Sequence, residues 1–266
     1  MIPNILSIAG SDPSGGAGIQ ADIKAISANG AYAMAAITAL TAQNTCGVQA
    51  VQMVEPEFVA RQIRALRDDI RIDAVKIGML GTAAIIEAVA DALDGLDAPI
   101  VLDPVMVAKG GDRLLQTDAV AGLRGLLPRA TVITPNLPEA ADLLGQAEAT
   151  TRDAMEVQVR ALLALGPRAV LLKGGHLAGD ESPDVLADAE SLTWLPGPRH
   201  PTRKTHGTGC TLSSALATSL GHGRPLTEAA ERAKRYVAIA IEQADTLDVG
   251  QGHGPTQHFH AMKGRS

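Results

Sequence analysis

The sequence predicts an open α/β sheet, mostly parallel, with helices on both faces. Short apolar runs alternate with amphipathic stretches along most of the chain. The runs are continuous rather than alternating, as expected of strands covered on both faces. A chain of 266 residues suits one such sheet as a single unit, so one domain spanning residues 1–266 is expected. A closed (β/α)₈ barrel comes second, because the strand count approaches eight. Two helices in succession near the end, and irregular spacing of the β-α units, favour the open sheet.

Each element has its own warrant. Ile5 to Ala9 is an apolar strand; Ile19, Ile23 and Ile26 then share a helical face that ends at Asn29-Gly30. Ala33 to Leu40 is the next strand. Pro56 suits a helix start, with Val59, Ile63 and Leu66 following at helical spacing. Ala74 to Ile77 is a strand, and Ile85, Ile86, Val89 and Leu93 form a helix face. Ile100 to Leu102 ends at Asp103-Pro104, and Val132-Ile133 ends at Thr134-Pro135. Met155, Val159, Leu162 and Leu163 precede the strand Ala169 to Leu172. Helices over about Thr208 to Leu220 and Thr227 to Ala244 complete the chain.

Composition narrows the function. A formal net charge of -6 and 2% aromatic residues argue against nucleic-acid partners, which need a basic face or a stacking platform. Cys46 and Cys210 make no disulfide framework. The first residues lack a basic leader, and no apolar run approaches the length of a membrane span. A soluble cytoplasmic protein with a small-molecule substrate is expected.

Ligands of such sheets bind at the carboxyl ends of the strands, so the residues there carry the argument. After the first strand comes Gly10-Ser11-Asp12-Pro13-Ser14-Gly15-Gly16-Ala17-Gly18. No Gly-Lys-Ser/Thr follows, so this is not a Walker A loop. Residues 16–21 fit GxGxxA, but the loop is too long after Ala9 and no acidic residue ends the next strand, against a dinucleotide site. The loop is either a glycine-rich connection or a backbone that approaches a small ligand. The second strand runs into Thr41-Ala42-Gln43-Asn44-Thr45. The amide of Gln43 offers one acceptor and two donors in a plane, which suits an amino-substituted heterocycle and equally a structural role. Asp103, Asn136-Leu137-Pro138-Glu139 and Lys173-Gly174-Gly175 also follow strands. Carboxylates suit a hard cation and a lysine suits a phosphate. Each could instead be an ion pair or a cap, and Asn136 with Glu139 matches a capping box. Together on one rim they point to a metal-nucleotide site.

The sharpest segment is Lys204-Thr205-His206-Gly207-Thr208-Gly209-Cys210, which opens a helix. Here the amides of Gly207, Thr208 and Gly209 converge into an anion hole at a helix N-terminus. Cys210 falls in the first turn, where the same field is expected to lower its thiol pKa. A glycine-softened helix start with a buried small residue is the plain alternative. His258-Phe259-His260 reads as a tail, since two histidines without further ligands make no metal site.

At this segment the sequence resembles the ribokinase-like superfamily. That group holds the transferring phosphate with Gly-x-Gly-Asp, the Asp serving as base; Gly207-Thr208-Gly209-Cys210 has Cys in its place. Asn136-x-x-Glu139 matches the group's metal-and-phosphate motif. Ala9 to Asp22, Thr41 to Thr45, Lys76-Ile77-Gly78-Met79-Leu80, Thr134 to Ala140 and Lys173-Gly174-Gly175-His176 are similar to hydroxymethylpyrimidine/phosphomethylpyrimidine kinases of thiamine biosynthesis. Cys for Asp is usual in that branch and occurs in some pyridoxal kinases, which supply the competing substrate reading. A non-catalytic pyrimidine-binding regulator would retain Gln43 but has no need of the anion hole, Cys210 or Glu139. The resemblance implies a ribokinase-like fold, ATP with Mg²⁺, a homodimer and two successive phosphoryl transfers, to the pyrimidine alcohol and then to its monophosphate. It implies that Gln43 reads the pyrimidine while Gly10, Asp22, Met79 and Val105 line its pocket. Asp103 and Glu139 would organise magnesium, Asn136, Lys173 and Thr208 would contact ATP, and Cys210 would be the base.

Overall fold

Residues 1–106 and 119–262 are described in the computed structural model. The first half of the chain runs β1 (Asn4–Ser11), α1 (Gly18–Ala28), β2 (Tyr32–Asn44), β3 (Gly47–Met53), α2 (Pro56–Arg67), β4 (Ala74–Ile77), α3 (Ala83–Ala92) and β5 (Ile100–Leu102). It continues with α4 (Ala119–Leu126), β6 (Val132–Ile133), α5 (Leu137–Leu144), α6 (Arg152–Leu163), β7 (Ala169–Lys173), β8 (Asp184–Asp188), β9 (Leu192–Leu195), α7 (Thr208–Gly221) and α8 (Leu226–Glu242). Among the described residues the strands form one nine-stranded sheet in the order β3-β2-β1-β4-β5-β6-β7-β8-β9. From β2 to β7 neighbouring strands are parallel. The outer pairs β2/β3, β7/β8 and β8/β9 are antiparallel. The expected open sheet is therefore present, and the barrel is not.

Strand alternation sends side chains into two separate cores, so helices cover both faces. Leu6, Ile8, Val75, Ile77, Val170 and Leu172 pack with Val59, Ile63, Ile85, Val89 and Val159 of α2, α3 and α6. Ile5, Ala74, Ala169 and Leu171 pack on the other side with Ile26, Leu212, Leu216, Ala229 and Val237 of α1, α7 and α8.

Three strands escape the hydrophobic pattern. β3 exposes most of its residues at the sheet edge, so it has no apolar face to read. β8 and β9 form a short hairpin. Strand β2 also runs past Leu40 to Asn44, pairing there with β3. Thr41 to Asn44 thus belong to a two-stranded ribbon rather than to a loop after a strand.

Order along the sheet changes direction at β1, which has β2 on one side and β4 on the other. The crevice beyond the carboxyl ends of β1 and β4 is where this topology places a ligand.

Candidate active site

Two helix N-termini meet over that crevice. α7 starts at Thr208 behind Gly207, which has φ +77°. A Cβ on Gly207 would run into the carbonyl oxygen of Gly16, so only glycine fits this turn. His206, immediately before it, is bonded to Asp12 at 2.7 Å, with both side chains buried. Burial alone would push the Asp12 carboxyl up, but hydrogen bonds from His206 and Ser14 hold it below the usual carboxylate range. Asp12 also accepts from the N–H groups of Ser14 and Ala17 at 2.9 Å. The glycine-rich loop is thus bolted to the start of α7, and its glycines serve that close approach.

α1 starts at Gly18, whose backbone amide is among the groups acting to lower the Cys210 thiol. The carbonyl of Gly10 lies directly against Gly18. Cys210 therefore sits between the positive ends of both helices. Its thiol is nonetheless not lowered, as the sequence suggested. Burial pushes it up to about 11, with Lys76 opposing and Asp22 and Asp103 adding to the rise. Two helix ends do not offset the loss of water around the sulfur.

One cluster gathers the groups expected to face phosphate. Lys173 Nζ donates to Asp103 Oδ1 at 2.9 Å, and Thr134 Oγ donates to the same oxygen at 2.9 Å. Built on Gly209, a Cβ would lie 3.2 Å from Lys173 Nζ and 3.3 Å from Asp103 Oδ2. The anion hole and the Lys173–Asp103 pair are thus in contact. Burial by itself would lower the Lys173 ammonium, but Asp103 and Glu139 raise it above its ordinary value. Asn136 and Glu139 do form the capping box of α5: each side chain accepts the other's backbone N–H at 2.8 Å. Burial pushes the Glu139 carboxyl up to about 7, Lys173 opposing and Asp103 adding. Asn136 is also bridged to Lys173 through the backbone. Thr208 Oγ donates to the Thr205 carbonyl at 2.7 Å, which ties down the turn before α7.

A second set gathers the groups expected to face the substrate. A Cβ on Gly10 would lie 3.0 Å from the Met79 sulfur, so these two shape one wall. The Met79 carbonyl accepts from Thr38 Oγ at 2.7 Å. Gln43, half-buried, accepts from Thr41 Oγ at 3.1 Å, and that hydroxyl also donates to the Ser11 carbonyl at 2.9 Å. Val105 is half-buried just past Asp103, to whose carbonyl its N–H donates at 2.8 Å. Asp22 has no exposed surface. Its carboxylate accepts from Lys76 Nζ at 2.9 Å to both oxygens, from Ser7 Oγ at 2.6 Å and from Ser214 Oγ at 2.8 Å. It is therefore held within the packed junction of β1, β4, α1 and α7.

Sequence reasoning missed Lys76, the tie between Asp12 and His206, and the packing of the last described residues. His258, expected in a tail, is buried; its Nε2 lies 3.0 Å from Thr211 Oγ and its carbonyl accepts from Tyr236 at 2.7 Å. Burial, with Lys24 and His260 nearby, brings its imidazole down to about 4. The segment before it grips the β2–β3 turn: the N–H of His253 donates to the Thr45 carbonyl at 2.8 Å, and Gly254 accepts from His206 at 3.0 Å.

Comparison with known proteins agrees with this arrangement. The phosphomethylpyrimidine kinase family model matches residues 12–257. The chain belongs to that family. A hydroxymethylpyrimidine/phosphomethylpyrimidine kinase of Salmonella typhimurium is 54% identical over 260 residues, covering 97% of this chain and 98% of the relative. A thiamine biosynthesis bifunctional protein of Geobacter sulfurreducens is 48% identical over 262 residues, 98% of this chain and 53% of that longer protein. Among solved structures, an ADP complex of Bacillus subtilis pyridoxal kinase superposes with a TM-score of 0.91 at 38% identity, covering 99% of this chain and all of that one. The fold is accordingly ribokinase-like, and the family's chemistry is that of kinases. Among the described residues, no helix is long and apolar enough to cross a membrane.

Proposed function

We propose that the chain transfers phosphate from ATP to the hydroxymethyl group of 4-amino-5-hydroxymethyl-2-methylpyrimidine, and then to the resulting monophosphate, in thiamine biosynthesis. The observation that carries this reading is the meeting of α1 and α7 near Cys210, with the Gly10–Met79 wall and the Lys173–Asp103–Glu139 cluster close by. An alcohol held against that wall points at the sulfur, and an ATP phosphate in the anion hole lies beyond it. Positioning and charge stabilisation do most of the work in such transfers.

In this reading Gln43 pairs with the aminopyrimidine edge. Lys173 and the amides of Gly207, Thr208 and Gly209 neutralise charge on the transferring phosphoryl group. Asn136 and Thr208 add polar contacts to the ATP phosphates. Cys210 accepts the proton of the attacking hydroxyl and afterwards releases it to water. Asp103 and Glu139 would hold Mg²⁺. The residues present fit it: they are hard oxygen donors, both carboxylates lie beside Lys173, and the Glu139 carboxyl is pushed up by burial, with Asp103 adding, a rise that a nearby cation would oppose. Among the described residues no group of three or more His, Cys, Asp or Glu side chains is placed to hold a metal ion. When bound, the ion supplies positive charge to the ATP phosphates.

The reading extends to a homodimer in the cytoplasm, with no nucleic-acid or membrane partner. The edge ribbon β2–β3 exposes Leu40 and Val51 at 51% and 41%, surface that a second copy would cover; light scattering tests the dimer. The activity is tested by mass spectrometry of products from the aminopyrimidine alcohol, ATP and Mg²⁺, counting phosphates added. Two phosphates are expected; none would overturn the reading. Parallel assay with pyridoxal measures the competing substrate that the Bacillus subtilis neighbour suggests.

A further inference from the structure

A buried polar chain under the start of α7 is used by nothing in the mechanism above. Thr211, Thr256 and His258 are all buried there. Thr211 Oγ donates to the Gly207 carbonyl at 2.8 Å, and the Thr211 N–H donates to the same oxygen at 2.9 Å. His258 Nε2 lies 3.0 Å from Thr211 Oγ, and Thr256 Oγ lies 3.4 Å from it. The backbone around His258 is fixed in turn. Its carbonyl accepts from Tyr236 of α8 at 2.7 Å, and the N–H of Gln257 donates to the Ala240 carbonyl at 2.9 Å. A polar ring so buried costs stability unless it is bonded, and an apolar side chain would fill the space without that demand. Packing alone is therefore a poor reason for a histidine here.

Proton counting supplies a better one. A threonine hydroxyl has one proton to give and lone pairs with which to receive. Thr211 gives its proton to the Gly207 carbonyl, so the partner at Nε2 has to be a donor. Burial keeps the ring uncharged at neutral pH, its pKa about 4, and a neutral imidazole carries one N–H. That proton belongs on Nε2, and the bonds run from His258 to Thr211 to Gly207. The Gly207 carbonyl and the Thr208 N–H are the two ends of one planar trans peptide and point in opposite directions. Holding the carbonyl along α7 therefore aims the N–H out of the helix start. This N–H meets the Thr205 carbonyl only at 3.3 Å, a long bond to an oxygen that Thr208 Oγ already reaches at 2.7 Å. It is left for a stronger acceptor. Gly207, at φ +77° and without a Cβ, gives the peptide plane little resistance to rotation. The Thr211 hydroxyl supplies that resistance, and His258 holds the hydroxyl.

We propose that His258 is a positioning residue for the phosphoryl transfer: its Nε2–H orients the Thr211 hydroxyl, which fixes the Gly207–Thr208 peptide with its N–H toward the transferring phosphate. This rests on the anion-hole reading of residues 207–209. His258 acts through Thr211 and exchanges no proton with the substrate.

The tautomer is read on the unmodified protein, where NMR of the imidazole nitrogens should place the His258 proton on Nε2. Thr211→Val removes the hydroxyl at nearly constant shape. Its kcat should fall about tenfold or more in both transfers, a share of the ~10²–10³-fold that losing one oxyanion-hole donor costs. KM for the pyrimidine should not move. His258→Leu should lose kcat likewise. His258→Gln, whose amide can present an N–H near the same point, should recover most of it. Because both residues act through one chain of bonds, Thr211→Val/His258→Leu should lose no more than Thr211→Val alone. A merely structural role would lower the melting temperature and leave kcat per folded molecule unchanged. A proton on Nδ1, an unchanged kcat in Thr211→Val, a His258→Gln as slow as His258→Leu, or multiplied losses in the double variant would overturn the proposal. Should His258→Leu fail to fold, the tautomer and Thr211→Val decide. Failure of the functional reading shows separately, as an unmodified protein that adds no phosphate to the alcohol whatever its tautomer.

Discussion

The two ends of the crevice are built differently. The end expected to take phosphate rests on the centre of the sheet: Asp103 and Thr134 follow β5 and β6, Lys173 ends β7, and Asp103 Oδ1 accepts from both Thr134 and Lys173. Gly207 is locked between Gly16 and the Asp12–His206 pair. The substrate end rests on the margin. Gln43 stands on an edge ribbon, half-buried, its side chain touching Thr41 of its own strand. If the proposed roles hold, the contrast makes phosphoryl chemistry and substrate choice separable in this fold. The first is anchored where any change disturbs packed neighbours, the second where a side chain changes cheaply. A fold shared with a pyridoxal kinase at a TM-score of 0.91 agrees with that division.

The sharpest test of the division lies at its boundary. Cys210→Ala should slow the alcohol step by ~10²–10⁴-fold, the usual contribution of a positioned general base. The monophosphate step should lose much less, because a phosphate monoester with a second pKa near ~6 is already mostly deprotonated. Separate assays of the two substrates check this; equal losses would mean that the thiol acts by shape. Next in size, Lys173→Ala should lower kcat for both steps by about 10²–10³-fold, as loss of one charge-stabilising donor does. An effect on one substrate only would break the comparison.

Gly207→Ala should cost both steps ~10²-fold, because the added Cβ would run into the Gly16 carbonyl oxygen and push the turn off it by roughly an ångström or more. Stopped-flow measurement with each substrate reads it. Smallest is Gln43→Leu. It leaves a ring edge unpaired at a cost of roughly 1–3 kcal/mol, about 5- to 150-fold in kcat/KM for the pyrimidine. KM for ATP should stay constant. A matching loss toward ATP would mean that the two ends are coupled after all.

Much of the central sheet and the phosphate end was legible in the sequence, for a physical reason. The strands from β1 to β7 that lie in the parallel region are apolar runs, and the groups at their ends announce themselves by type: Asp103, Asn136 with Glu139, Lys173, and the glycines before Cys210. The capping box at Asn136 was readable because its two bonds span three positions. Illegible features depend on partners far along the chain or on burial. β3 has no buried face to pattern it. Asp22 was expected in the pocket by resemblance alone; that Lys76, Ser7 and Ser214, from three other elements, take both its oxygens is announced by no local pattern. The thiol of Cys210 was misjudged because a helix end is visible in sequence and the loss of water is not. His258 looked loose because its partners, Thr211 and Tyr236, lie on two other helices.

The ties that complete the crevice span nearly the whole chain. Asp12 meets His206 across 194 positions, Asp22 meets Ser214 across 192, and Thr45 meets Gly252 across 207. Closing such loops costs entropy before any contact repays it, and contacts of that separation form slowly. The chain can therefore assemble its central strands and flanking helices while the crevice is still open. Such a species is compact and rich in regular structure, but it has no anion hole. On dilution from denaturant, ellipticity should recover ahead of turnover, and the lag between them times the arrival of α7 against the loop before α1.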